Sequence, residues 1–224
     1  MNRLLSRELT LQTIAQLQQM QLPWTYDAEK HRLLFLDEAG NEKLILRLPI
    51  TLPPPEKDLS ISEKPVHYVI LLVQSGSCAI GYFEGNKNLD HKVFRAYMVR
   101  KKRGVSQLKH LKTKGKSRAG SRVRLGETEE FFENINERLK ADFEAHQIDR
   151  IAMSVSKILV PHLFEAKHKT PFDTRDPRIF KSPKHIHLPI YEVLLDTHKF
   201  LQKGELIYEE ENQALADQLL EFSV

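Results

Sequence analysis

The sequence predicts an α/β fold: a mixed β-sheet flanked by helices, with a small helix-and-hairpin element at the N-terminus. Three observations carry that expectation. Residues 66–73 form a strand-length, mostly apolar run, the pattern of a strand covered on both faces. Phe131, Ile135, Leu139 and Phe143 recur every four residues, the apolar stripe of a helix lying on a core. From residue 148 to about 201, strand-like and helix-like segments alternate, which lays helices against a sheet.

Each element follows in order. Residues 4–21 carry apolar side chains at Leu5, Leu9, Ile14 and Leu17 and read as an amphipathic helix. Residues 32–36 and 43–48 are apolar runs around Asp37-Glu38-Ala39-Gly40-Asn41, a hairpin signature. Pro53-Pro54-Pro55 stiffens the chain and removes backbone donors, so residues 52–63 are expected to link an N-terminal element, 1–62, to a main domain, 63–203. That domain opens with strands over 66–73, 77–83 and 94–100, the last two joined through Glu84-Gly85-Asn86-Lys87-Asn88. A loop is expected over 100–126, then the helix bearing Phe131, with Glu129 and Glu130 favourable near its N-terminus. A strand over 148–154, a helix over 156–166, an irregular stretch over 167–183, a strand over 185–190 and a helix to about 201 follow. Residues 204–224 are expected to end as an acidic helix.

Composition narrows the function. A single cysteine, Cys78, excludes a disulfide framework and a Cys-based zinc site within this chain. No apolar run reaches the roughly 18 residues of a membrane span, and residues 1–10 lack the apolar core of a signal peptide, so a cytoplasmic protein without a membrane partner is expected. His185 and His187 would share one face of their expected strand, but two histidines without further ligands at tight spacing do not make a metal site. Neither metal nor cofactor is expected.

The net charge of +4 hides an asymmetry. Between Lys92 and Arg124 lie 13 Lys and Arg and no acidic residue, while the rest of the chain holds 21 basic against 30 acidic residues. An acidic body with one concentrated basic segment points to a polyanionic partner met at one place. The segment carries Arg95, Arg100, Lys101, Lys102, Arg103, Lys112, Lys114, Lys116, Arg122 and Arg124, interleaved with Gly104, Gly115, Gly120 and Gly126. Lysine and arginine neutralise phosphates, and glycine lets backbone N–H groups approach them closely. RNA is the partner this composition fits; an acidic protein is the alternative the charges leave open.

Arg95-Ala96-Tyr97, Gly104-Val105-Ser106-Gln107, Lys116-Ser117 and Ala119-Gly120-Ser121, in that order and followed by an amphipathic helix, resemble the Vms-like release-factor domain over about residues 65–203. That family includes the eukaryotic ankyrin-and-zinc-finger peptidyl-tRNA hydrolase and shorter bacterial relatives. It is distantly similar to the middle domain of eukaryotic and archaeal class I release factors. The resemblance implies a release-factor middle-domain-like, RNase H-like sheet and action on peptidyl-tRNA stalled on the large ribosomal subunit. It implies release of the nascent chain, by hydrolysis of its ester or by a cut in the tRNA next to the terminal CCA. The family's essential glutamine corresponds to Gln107, its Arg-Ala-Tyr stretch to Arg95 and Tyr97, and its Ala-Gly-Ser segment to Gly120 and Ser121. Two positions depart from the pattern. Val105 stands where the family has glycine before Ser-Gln, and the arginine pair after Ala-Gly-Ser is reduced to Arg124, followed by Leu125.

A glutamine amide does not titrate near neutral pH, but with one donor and one acceptor it can orient a nucleophile. The nucleophile is water for the ester or a ribose 2′-OH for the phosphodiester. Arg95, Arg122 or Arg124 would stabilise the developing charge. Tyr97 suits stacking on a base or bonding a phosphate, or else a half-buried place on its strand. Ser106 has no His–Asp arrangement to activate it. Gln107, Arg95 and Tyr97 are therefore the expected catalytic residues. The expected RNA contacts are Arg100, Lys101, Lys102, Arg103, Lys112, Lys114, Lys116, Gly120, Ser121, Arg122 and Arg124. Val105 is β-branched and disfavours positive φ, so a non-catalytic rRNA- or tRNA-binding module stays open. A monomer is expected for a chain that must enter the ribosomal subunit.

Overall fold

Two five-stranded sheets, each backed by helices, organise the described residues of this computed structural model, which are 1–96 and 116–221, with the backbone alone over 116–126. The chain begins with β1 (Asn2–Leu5), α1 (Arg7–Gln19), β2 (Trp24–Asp27), β3 (Arg32–Leu36) and β4 (Glu42–Arg47). An antiparallel meander follows: β5 (His67–Gln74), β6 (Ser77–Glu84) and β7 (Lys87–Arg95). Then come α2 (Lys116–Ala145), β8 (Arg150–Val155), α3 (Val160–Glu165), β9 (Ile179–Lys181), α4 (Tyr191–Leu201), β10 (Gly204–Ile207) and α5 (Gln213–Glu221).

The main sheet has the order β7-β6-β5-β8-β9. β6 runs antiparallel to β5 and β7, while β5, β8 and β9 are parallel. The expected mixed sheet with flanking helices is therefore present. The central strand β5 is buried from Tyr68 to Val73, as an unalternating apolar run requires. Val69, Leu71 and Val73 face a cluster with Phe131, Phe132, Ile135 and Leu139 of α2; Tyr68, Ile70 and Leu72 face Leu194 and Leu201 of α4. The four-residue stripe predicted for α2 is thus its buried face, each large side chain contributing about 1.5–3 kcal/mol. Cys78 is a buried core residue of β6, its thiol pushed well up by desolvation.

The second sheet is antiparallel, with the order β1-β10-β4-β3-β2. One face is covered by α1 and α5, with Leu17, Leu33, Phe35, Leu46, Leu206 and Leu219 buried together. The predicted hairpin is β3 and β4. The predicted helix starts later than expected, at Arg7, because Ser6 caps it by accepting from the Leu9 N–H at 3.1 Å. Leu5 belongs instead to β1.

Several expectations need correction. Residues 204–207 are not the start of an acidic helix but strand β10, inserted between β1 and β4; only Gln213–Glu221 is α-helical there. Residues 185–190 form no strand. Pro183 precedes that segment and Pro189 lies within it, and proline cannot donate to a ladder, so the edge strand is Ile179–Lys181 instead. The expected linker over 52–63 is irregular yet packed, with Leu52 and Leu59 buried. Residues 116–126, expected as the C-terminal part of a loop over 100–126, are helical instead, since α2 begins at Lys116, and 100–115 lie outside the described residues. Lys, Arg and Ala there are good helix formers, and a helical glycine costs only about 1 kcal/mol.

Candidate functional site

The basic segment begins on β7 and ends on the first turns of α2. Both ends are anchored. Arg95 is the last residue of β7 and pairs in register with Ser77. The Ala96 N–H donates to the Gly76 carbonyl at 3.0 Å. Gly76 holds φ +74° in the two-residue β5–β6 turn, a conformation that favours glycine. Phe94 and Ala96 pack against the cluster containing Phe131 and Phe132, so the two flanks of the segment share one core.

A polar clamp ties the same two elements further along. Arg138 of α2 reaches Asp90 of β7 with Nη2–Oδ2 at 2.5 Å and Asp142 of α2 with Nη2–Oδ1 at 2.9 Å. The hydrogen bond from Arg138 holds the Asp90 carboxyl below its ordinary value. Burial pushes the Asp142 carboxyl up, against the pull of the same guanidinium. Sequence reasoning misses this clamp. The Arg138–Asp142 half is visible as an i,i+4 pair on a predicted helix, whereas Asp90 lies 48 residues away and gives no local signal.

At the junction of β7 and α2 opens a cleft of about 250 Å³, with Phe94, Arg95, Ala96, Glu127, Glu130, Phe131 and Asn134 around it. Arg95 is exposed at this cleft and forms no ion pair with a described carboxylate. Its guanidinium is available to an anion, and Glu127 and Glu130 set an acidic wall beside it. Of the residues predicted from sequence, Arg95 alone is described with its side chain. Lys116, Gly120, Ser121, Arg122 and Arg124 lie on the first turns of α2, which joins them to the Arg95 cleft through one helix. Tyr97, Arg100, Lys101, Lys102, Arg103, Gln107, Lys112 and Lys114 lie outside the described residues, as does Val105. His185 and His187 do come together, with ring centroids 4.5 Å apart. Among the described residues, no group of three or more His, Cys, Asp or Glu is arranged to hold a metal ion. No described helix is long and apolar enough to cross a membrane.

The human tRNA endonuclease ANKZF1 is 26% identical over 176 residues, covering 73% of this chain and 24% of that protein. The mouse tRNA endonuclease ANKZF1 is 33% identical over 84 residues, covering 34% of this chain and 11% of that protein. The chain thus spans about a quarter or less of the curated relatives it matches. The Vms1 mitochondrial localization core, a solved structure, overlaps 77% of this chain and 73% of its own, at 13% identity and a TM-score of 0.40, too distant to carry an argument. A family model, that of the Bacteroidetes VLRF1 release factor, matches residues 68–209, which take in all of the main sheet but His67, the basic segment, α2 and β10. The chain belongs to the Bacteroidetes VLRF1 release factor family.

Proposed function

We propose that this protein frees stalled nascent chains on the large ribosomal subunit by breaking a bond at the acceptor end of peptidyl-tRNA, in the cytoplasm and as a monomer. The observation that carries the proposal is membership of a release-factor family whose matched region contains the acid-free basic segment between Lys92 and Arg124. The order β7-β6-β5-β8-β9, with β6 opposed to the other four strands, supports an RNase H-like, release-factor middle-domain reading of the sheet.

The scissile bond we favour is the phosphodiester next to CCA, because the curated relatives carry the description tRNA endonuclease. In that reaction a ribose 2′-oxygen bonds the adjacent phosphorus and the bond to the 5′-oxygen breaks. The proton lost by the 2′-OH is taken up at the 5′-oxygen. The products are a 2′,3′-cyclic phosphate on the tRNA and a peptidyl-CCA with a free 5′-OH. Gln107 would orient the 2′-OH, and Arg95 at the mouth of its cleft would stabilise charge on the phosphate oxygens. Tyr97 would stack on a flanking base. Lys101, Lys102, Lys112, Lys116 and Arg124 would hold the strand by its phosphates.

Val105 favours a second reading, in which the segment docks on rRNA or tRNA without chemistry. Gln107→Ala separates the two. An enzyme loses turnover and keeps its association with the subunit; a binding module shows no turnover in either form.

A further inference from the structure

A second cleft, of about 410 Å³, opens at the C-terminal ends of β8 and β9. Its size lies within the range of small-molecule sites, roughly 300–1,000 Å³. Met153, Val160 and Ile179 form an apolar wall, and Lys157, Lys181 and Lys184 supply cations. Ser154 and Ser182 add hydroxyl groups, His185 stands at the rim, and no carboxylate lines the cleft. Among the described residues Lys157 and Lys184 have no acidic partner; Lys181 pairs with Glu29 at 2.6 Å, both side chains largely exposed. Such a pair is screened by solvent and yields readily to a competing anion.

The cleft lies at the same end of the main sheet's strands as the root of the basic segment, the C-terminal ends of β5, β7 and β8. Arg95 pairs with Ser77, Ser77 with Gln74, and the neighbouring Val73 with Val155. Three strand spacings therefore separate Arg95 from the cleft, about 14 Å. The stretch between them is fixed: Gln74 Nε2 donates to the Ile186 carbonyl at 2.8 Å and Ser77 Oγ to the Pro189 carbonyl at 2.6 Å. The wall bearing Lys184 and His185 is thus tied to this end of the sheet by side chains of β5 and β6.

We infer that this cleft binds one nucleotide of a single-stranded RNA, its base against the Met153–Ile179 wall and its phosphate between Lys157 and Lys184. The inference rests on the proposed function in taking RNA as the partner. It adds a nucleotide subsite at the same end of the sheet's strands as the root of the reacting segment, where it would fix the register of the RNA.

The test uses the full chain with labelled methionine and isoleucine methyl groups. It is titrated by NMR with 5′-AMP, with a single-stranded tetraribonucleotide and with inorganic phosphate. The Met153 and Ile179 methyl signals should shift with both nucleotide probes, in wild type and in Gln107→Ala alike. Lys157→Glu/Lys184→Glu should weaken tetranucleotide binding at least about tenfold and lower the log–log salt slope by about 0.7 for each phosphate no longer neutralised. Unmoved methyl signals, equal shifts with phosphate alone, or undiminished affinity in the double variant would overturn the nucleotide site. Nascent-chain release that survives Gln107→Ala would sink the reaction proposed above while leaving nucleotide-dependent shifts in the cleft standing.

Discussion

Replacing Arg138 with methionine tests the clamp that holds β7 to α2. Methionine keeps the aliphatic stem and removes the guanidinium. Asp90 is about half exposed, so water compensates it, but the Asp142 side chain is only 4% exposed and loses its sole ion-pair partner among the described residues. Breaking a buried pair typically costs about 3–5 kcal/mol. Arg138 is itself 24% exposed, and Asp142 can take up a proton, so the expected loss is smaller, about 2–3 kcal/mol at neutral pH. In urea, with a slope of about 2–3 kcal/mol per molar, the midpoint should fall by about 1 M with the slope unchanged. The sign with pH is fixed. Burial already holds the folded Asp142 carboxyl above its ordinary value and loss of the guanidinium raises it further, so the penalty is full at neutral pH and shrinks as pH falls through that raised range and the carboxyl takes up its proton. Asp142→Asn in the same chain should recover more than half the loss. A loss below about 0.5 kcal/mol, or one that the asparagine does not relieve, would refute the clamp as the source of stability.

Three further outcomes follow from the same geometry. Burial pushes the His198 imidazole down to about 4, beneath Phe83 and beside the Tyr68 hydroxyl at 2.8 Å. Stability present above the unfolded value near 6.5 should therefore be lost as pH falls toward 4, by about 3 kcal/mol from this group, and His198→Phe should flatten the urea-measured slope. His31, fully buried and likewise pushed down by desolvation, adds to the loss in the same direction, so some slope must survive in that variant. A Cβ at Gly204 would overlap Thr10 Oγ1 where β10 meets α1. Gly204→Ala should cost about 1–3 kcal/mol in thermal unfolding, and Thr10→Ala should relieve part of it; equal melting of the two chains would contradict the close approach. Binding of single-stranded RNA should weaken steeply with salt, and Arg95→Ala should reduce the log–log slope by about 0.7, read by fluorescence anisotropy; an unchanged slope would remove Arg95 from the interface.

The parts of the fold legible in the sequence are those whose signals are local. The apolar run of β5 and the Phe131–Leu139 stripe of α2 each state their environment within a dozen residues. Strand β10 is four residues long, and its partners β1 and β4 lie roughly 200 and 160 positions away, so nothing near Gly204 announces it. The alternating His185–Ile190 segment mimics a strand, but side-chain bonds from Gln74 and Ser77 hold its carbonyls in place of a ladder. The candidate site divides in the same way. Charge concentration and the Gly104–Gln107 and Ala119–Ser121 spacings are one-dimensional and readable. The Arg95 cleft, the Arg138 clamp and the lysine-rimmed cleft of β8 and β9 each need elements far apart in sequence to be folded together.

The most direct test of the central claim is single-turnover incubation of wild-type and Gln107→Ala protein with large ribosomal subunits carrying a doubly labelled peptidyl-tRNA, resolving both product ends. Wild type should yield peptidyl-CCA and a tRNA ending in a 2′,3′-cyclic phosphate, and Gln107→Ala should leave peptidyl-tRNA intact while still bound to the subunit. Free peptide with an intact CCA end would move the cut to the ester. No product from firmly bound wild type would contradict the claim that this protein is a release enzyme.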